Sequence, residues 1–317
     1  MMTLGQIYDL FIEMGIKADP RPKKVIKEHL ERIKKDYDKL SKEKQEDFDT
    51  ESLTNPYLDS RILYGDKKKK IKRVLVGIDM ETPELLLAKE LERAGEKIDL
   101  VMAHHPEGMG LVNLAKVMHL QEDVLEGVGV PITTAEKLLE PRISKIDRAV
   151  APSNAYRGVD TARVLDMPYA CFHTVADNQV YDFIKNLMAK KKPQYLGDLL
   201  DLLKGVPEFK QAVKTGQGPR LFHGSEKSRV GKIAVTGMTG GTEGAEDIYE
   251  KLAHAGVGTV IDMHQSEGHR DKAIKYHLNV VIAGHMASDS VGMNILLDKL
   301  ARKGVEIIPV SGLIRKR

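Results

Sequence analysis

Residues 98–106, reading Ile-Asp-Leu-Val-Met-Ala-His-His-Pro, constrain the fold more than any other stretch of the chain. The run Ile98–Ala103 has strand length and is apolar on both faces apart from Asp99, the pattern of a parallel strand covered on both sides by helices. Pro106 has no N–H with which to extend a ladder, so the strand ends before it. His104 and His105 therefore stand at the carboxyl edge of a buried parallel sheet, where open α/β folds place their ligands.

A regular unit leads into this strand. Arg73–Ile78 reads as a strand and Thr82-Pro83-Glu84 as a helix start, with Thr as N-cap and Pro in the first turn. Leu85–Ala94 is the helix and Gly95 its stop. The order returns later as a strand Lys232–Gly237, a helix beginning at Thr242-Glu243 and ending before Gly256, and a strand Val257–Met263 that ends at His264. Arg73 to His104 spans 31 positions and Lys232 to His264 spans 32. The expectation is an α/β protein with two pseudo-symmetric lobes of layered sheet and helices. Identity between the units is low, so convergent α/β periodicity is the competing account.

Other elements are less regular. Thr3 caps a helix whose stripe is Leu4, Ile7, Leu10, Phe11 and Met14. Lys23 to about Lys44 reads as one heavily charged helix with a narrow apolar edge, and Lys67–Lys70 as a solvated turn. Between the two units, Val130–Thr134 and Tyr169–Thr174 read as short strands, and Val180–Ala189 and Leu196–Leu203 as helices.

Composition removes several functional classes. With 42% hydrophobic residues and no apolar run approaching membrane length, no spanning helix is expected. The amino end lacks the basic-then-apolar pattern of a signal peptide, so a cytoplasmic location is expected. Cys171 is the single cysteine, which excludes an intrachain disulfide and a four-cysteine zinc site. A net charge of +3, no Trp and 5% aromatic residues argue against nucleic acid as a partner.

Histidine and aspartate concentrate at strand ends. His104-His105 follow one strand. His173 and Asp177 lie four apart after a second, and His264 and His269 flank a third connection. His285 and Asp289 lie four apart at the start of a helix that follows Val280–Gly284. A spacing of four puts both side chains on one helical face, where imidazole and carboxylate can chelate a divalent cation.

Three of these segments, Asp99–Pro106, His173-Thr174-Val175-Ala176-Asp177 and Gly284-His285-Met286-Ala287-Ser288-Asp289, resemble in order the motifs of the Ngg-one-interacting-factor-three-like (NIF-three-like) family, whose members are often labelled GTP cyclohydrolase I type 2-like. The resemblance runs from about Asn55 to the carboxyl terminus. It implies one unit made of lobe one (57–176), a connecting segment (177–228) and lobe two (229–317), with a dinuclear metal site in the cleft between the lobes. It makes His104, His105, Asp177, His285 and Asp289 the ligands of two divalent ions, of Zn, Fe, Mn or Ni. His104 and His105 would serve different ions. Asp289 stands where the family has Glu, and His264 where the family has Gly. The charged segment 21–50 is an insertion, and the long domain that some members carry between the lobes is absent. A homo-oligomer, often a hexamer, is also implied.

The chemistry that follows is hydrolysis of a small, nucleotide-like substrate, with His269, His264 and Glu267 as proton-transfer candidates. Gly237-Met238-Thr239-Gly240-Gly241-Thr242 joins a strand to a helix start, and Gly240, Gly241 and Thr242 are the candidate phosphate cradle. A tight βα turn is the plainer account of that loop. The alternative function is a non-catalytic metal- or ligand-binding protein acting through protein partners.

Overall fold

The structure, a computed structural model, describes residues 1–315. In chain order the elements that frame the site are α1 (Leu4–Ala18), α2 (Lys23–Tyr37), β1 (Ser60–Tyr64), β2 (Arg73–Gly77), α3 (Thr82–Arg93), β3 (Leu100–Ala103), α4 (Leu120–Gly127), α5 (Ile132–Val150), β4 (Tyr169–Phe172) and α6 (Thr174–Lys191). They continue as β5 (Arg220–His223), β6 (Lys232–Val235), β7 (Val257–Asp262), α7 (Glu267–Lys275), β8 (Asn279–Ile282), α8 (His285–Ala301) and β9 (Glu306–Pro309).

The strands form two mixed sheets, ordered β9-β2-β3-β4-β1 and β5-β8-β7-β6. In each, three consecutive strands run parallel (β2, β3, β4 and β6, β7, β8), and the strand that precedes them in sequence pairs antiparallel with the third. The two expected lobes are therefore present and share one strand order. β9 breaks the correspondence: the last strand pairs in parallel with β2, Glu306 opposite Arg73, so the carboxyl end of the chain returns to the first sheet.

Every residue of β3 is buried, as its two-sided apolar pattern requires. α6 and α8 pack on each other across the middle of the molecule. Gly292 of α8 lies so close to α6 that an added Cβ would sit 2.3 Å from the carbonyl oxygen of Ala176. α1 begins with a capping box between Thr3 and Gln6 and buries Leu4, Ile7 and Phe11. α2 buries only Ile26 and displays exposed i,i+4 pairs such as Lys24–Glu28 and Lys27–Glu31, each worth about 0.3–0.5 kcal/mol at most. It stops at Tyr37, short of Lys44, and a separate short helix covers Lys42–Glu46.

Two expected elements differ. Val130–Thr134, β-branched enough to suggest a strand, instead enters α5, because Ala135 and Leu139 on the following turns are buried against the second lobe. Tertiary burial here overrides local propensity. The helix expected from Thr242 begins only at Ile248. Gly240 and Gly241 have φ of +83° and +85°, and the Gln121 side chain donates to the carbonyls of Gly240 and Thr242, both at 2.7 Å, which holds the segment as a loop.

Candidate metal centre

The carboxyl ends of β3, β4 and β8 converge on one point between the lobes. His104 and His105 follow β3 directly. His173 and Asp177 bracket the first turn of α6 after β4, and His285 and Asp289 bracket the first turn of α8 after β8. Gly284 makes the last turn possible: its φ is +103°, and a Cβ there would meet the carbonyl oxygen of Gln217 at 2.4 Å.

These side chains build three donor groups, His104–Asp177–Asp289, His105–His285–Asp289 and His104–His105–His173, each with its ligand atoms within 4.8 Å of one another. Asp289 belongs to two of them through different oxygens. Its Oδ1 lies 3.6 Å from His104 Nε2, and its Oδ2 lies 3.6 Å from His105 Nε2 and 3.5 Å from His285 Nε2. Asp177 Oδ1 lies 3.5 Å from His104 Nε2 and Asp177 Oδ2 lies 3.7 Å from His173 Nε2.

Three of the rings are held by their other nitrogen. His104 Nδ1–H donates to the Phe172 carbonyl at 3.3 Å, His105 Nδ1–H to Asp79 at 2.6 Å and His173 Nδ1–H to Asp59 at 2.8 Å. Each bond fixes the tautomer that leaves Nε2 free to face the centre, the usual arrangement of a metal-binding imidazole. Asp59 also accepts from the Thr174 hydroxyl at 2.6 Å, so it is itself fixed.

The charges are strongly coupled. Burial disfavours a charged His105 ring, but the Asp289 and Asp79 carboxylates beside it outweigh burial and raise it to about 10. Burial also works against an ionised Asp289, yet the surrounding imidazoles, His104 foremost, hold its carboxyl far below the ordinary range. Asp177 is raised to about 6 by burial, with His173 and His104 opposing, and burial lowers His285 to about 4.

The donor set fits a cation by one direct criterion. Asp177 Oδ1 and both carboxylate oxygens of Asp289 are buried and accept no hydrogen bond. A buried polar atom left without a partner costs about 1–3 kcal/mol, more if charged. Three such atoms at one point, each faced by an imidazole nitrogen too distant to bond, suit a divalent ion between them.

The centre opens into a cleft of roughly 710 Å³, counting the space open to solvent at its mouth. His264 and His269 line it, as do Gly241 and Thr242. The His264 ring lies 4.7 Å from that of His285, tilted 50° to it and outside the three donor groups. His269 is committed to the protein: Nε2–H donates to the Gly244 carbonyl at 3.0 Å and Nδ1 accepts from the Ser266 hydroxyl at 2.7 Å. Glu267 is exposed, pairs with Arg270 at 2.8 Å and does not line the cleft. Gly240 packs against Gln121 beneath the loop. Sequence reasoning missed Asp59 and Asp79. Asp79 follows β2 at a strand end, the signal that located the histidines; Asp59 precedes β1 and carries no comparable signal.

No protein-family model matches the chain, and no curated protein matches it. Solved structures do. A NIF3 superfamily protein from Sphaerobacter thermophilus is 24% identical, with 98% of this chain and 99% of that one covered at a TM-score of 0.78. Reduced HcgD from Methanocaldococcus jannaschii is 16% identical, with 84% of this chain and 94% of that one covered at a TM-score of 0.52. Among the described residues no helix is long and apolar enough to cross a membrane. With two lobes of shared strand order and a His/Asp cluster at the strand ends between them, the chain has the fold of the NIF3 superfamily.

Proposed function

We propose that the centre holds two divalent cations, one at His104, Asp177 and Asp289 and the other at His105, His285 and Asp289, and that the chain is a metal-dependent hydrolase of a small substrate. The observation that carries this reading is Asp289: two buried, unpartnered oxygens of one carboxylate, each aimed at a different set of donors. Imidazole and carboxylate together suit Zn, Fe, Mn or Ni, and the donor set does not choose among them.

When bound, two such ions supply activation of a water and stabilisation of a developing oxyanion. The chain's own residues do the rest. Asp59 and Asp79 fix the rings of His173 and His105. His264, tilted against His285 on the cleft wall, is the candidate to accept or return a proton, because His269 has both ring nitrogens bonded and holds the Gly244 turn in place. Glu267 keeps a proposed role only by swinging away from Arg270.

The second reading, a non-catalytic metal- or ligand-binding protein, is favoured by that same commitment of His269 and exposure of Glu267, which remove two of the three proton-transfer candidates read from the sequence. A homo-oligomer belongs to either reading through the family resemblance, and sedimentation of the purified protein tests it. The functional test is elemental analysis of protein purified without a His-tag, as wild type and His105→Ala, followed by turnover assays on phosphoester, amide and ring-hydrolysis substrates with each metal restored. About two metals per chain and turnover of one class support the hydrolase. Two metals with no turnover favour the binding protein, and no metal after incubation with all four ions overturns the hydrolase and leaves a ligand-binding protein as the leading reading.

A further inference from the structure

Beyond the centre, the cleft wall carries one sign of charge. Glu243 and Asp262 line it together with the ligands Asp177 and Asp289, and among the described residues no Lys or Arg does. Asp262 is satisfied within the protein: it accepts from the Thr236 hydroxyl at 2.7 Å and the Gly237 N–H at 2.6 Å. Glu243 is not. One of its oxygens accepts from the Ser266 N–H at 2.7 Å and lies 3.4 Å from His269 Nδ1, and no Lys or Arg pairs with its carboxylate among the described residues. Arg142 bonds the Glu243 main-chain carbonyl at 2.9 Å but does not line the cleft. The side chain is nonetheless only 17% exposed, so its charge faces a partly desolvated space where Coulomb terms are stronger than in water. Val124, Leu125 and Ile248 supply the apolar part of the wall.

Resting on the metal-centre reading, we infer that the substrate meets the metals with an oxygen-bearing group and carries, away from them, an ammonium or other N–H donor that pairs with Glu243. The loop at Gly240–Thr242 is then not a phosphate cradle. A phosphate there would lie against a wall with negative charge and no basic side chain, whereas phosphate sites on glycine-rich loops pair the backbone with a cation. Any anionic group of the substrate belongs at the centre, where the cations are.

The test uses hydroxamates, which chelate metals through oxygen, with tails of two to six methylenes ending in methyl, ammonium or phosphonate. They are titrated calorimetrically into Zn-loaded full-length protein whose metal content has been measured first. At the best tail length the ammonium probe is expected to bind at least about tenfold tighter than the methyl probe, and the phosphonate probe at least about tenfold weaker. In Glu243→Gln, an isosteric change that keeps an acceptor for Ser266, the ammonium-to-methyl ratio falls to within about twofold. The inference is overturned if the phosphonate probe matches the ammonium probe, if Glu243→Gln leaves the ratio unchanged, or if metal-loaded protein binds none of the probes. Protein that takes up no metal fails at the earlier step and overturns the metal-centre reading instead.

Discussion

The two lobes place equivalent residues at equivalent points and then use them differently. In each, the third parallel strand turns into a long helix with His at its entry and Asp four residues on: His173, the N-cap of α6, and Asp177 after β4, and His285, the first residue of α8, and Asp289 after β8. Yet Asp177 meets one donor group and Asp289 meets two. The second parallel strand diverges further. β3 runs directly into His104-His105, both in the cluster, whereas β7 ends in Asp262, with Met263 and His264 beyond it. His264 stays outside the donor groups and Asp262 bonds the Thr236 turn. Lobe one thus contributes most of the imidazoles, and lobe two contributes the carboxylate that joins the two sides. Duplicated topology fixes where side chains can act; the residue at each point decides what it does there.

The largest expected effect breaks the equivalence of the two aspartates. Asp289→Ala removes a donor from both proposed ions, so metal content should fall from about two per chain toward zero. Asp177→Ala should leave about one, with affinity at its own position down on the order of 100-fold or more. Elemental analysis and competition with a chromogenic chelator read both. Equal losses in the two variants would show that the carboxylates are interchangeable.

Next in size is the support behind the rings. Asp79→Asn weakens the hold on His105, a proposed ligand, and should lower metal affinity by about 10–100-fold without unfolding the protein, whereas Asp59→Asn acts on His173, which neither proposed ion uses, and should lower it by less than about tenfold. Lobe two has no counterpart among the described hydrogen bonds of His285, so the loss should track lobe one. The same chemistry sets a pH dependence. His105, raised to about 10 in the metal-free protein, is protonated at neutral pH and must release that proton to bind a cation. Metal affinity should therefore rise with pH, by about tenfold per unit for one competing proton, between pH 6 and 9. A flat profile in isothermal titrations would count against His105 as a ligand.

Gly292→Ala tests the contact between the two site-bearing helices. Its Cβ would press on the Ala176 carbonyl, and overpacking of this kind costs about 1–3 kcal/mol, measurable by denaturant unfolding. The smallest effect belongs to His264→Ala. Lying outside the donor groups, it should change metal content and affinity by less than about threefold, below the loss expected of ligands and their supports. If the hydrolase reading holds, turnover should fall on the order of 100-fold with metal retained.

Much of the site was legible because strand ends in an α/β sheet are both easy to find and chemically exposed. The apolar run into His104-His105-Pro106 and the paired His-x-x-x-Asp spacings are local patterns, and local patterns fixed which side chains could reach a common edge. The strand character of β2, β3, β7 and β8 followed from apolar periodicity for the same reason. What the sequence could not reveal depends on contacts between distant segments. Asp59 reaches His173 from 114 positions away. β9 crosses back to pair with β2, a long-range pairing in which its main-chain groups find partners 233 positions away. The turn at Gly240 stays open because Gln121, from the other lobe, takes its carbonyls. The two oxygens of Asp289 acquire separate partners only when β3 and α8 are brought together, since a single carboxylate carries no sequence mark of the number of neighbours it will have.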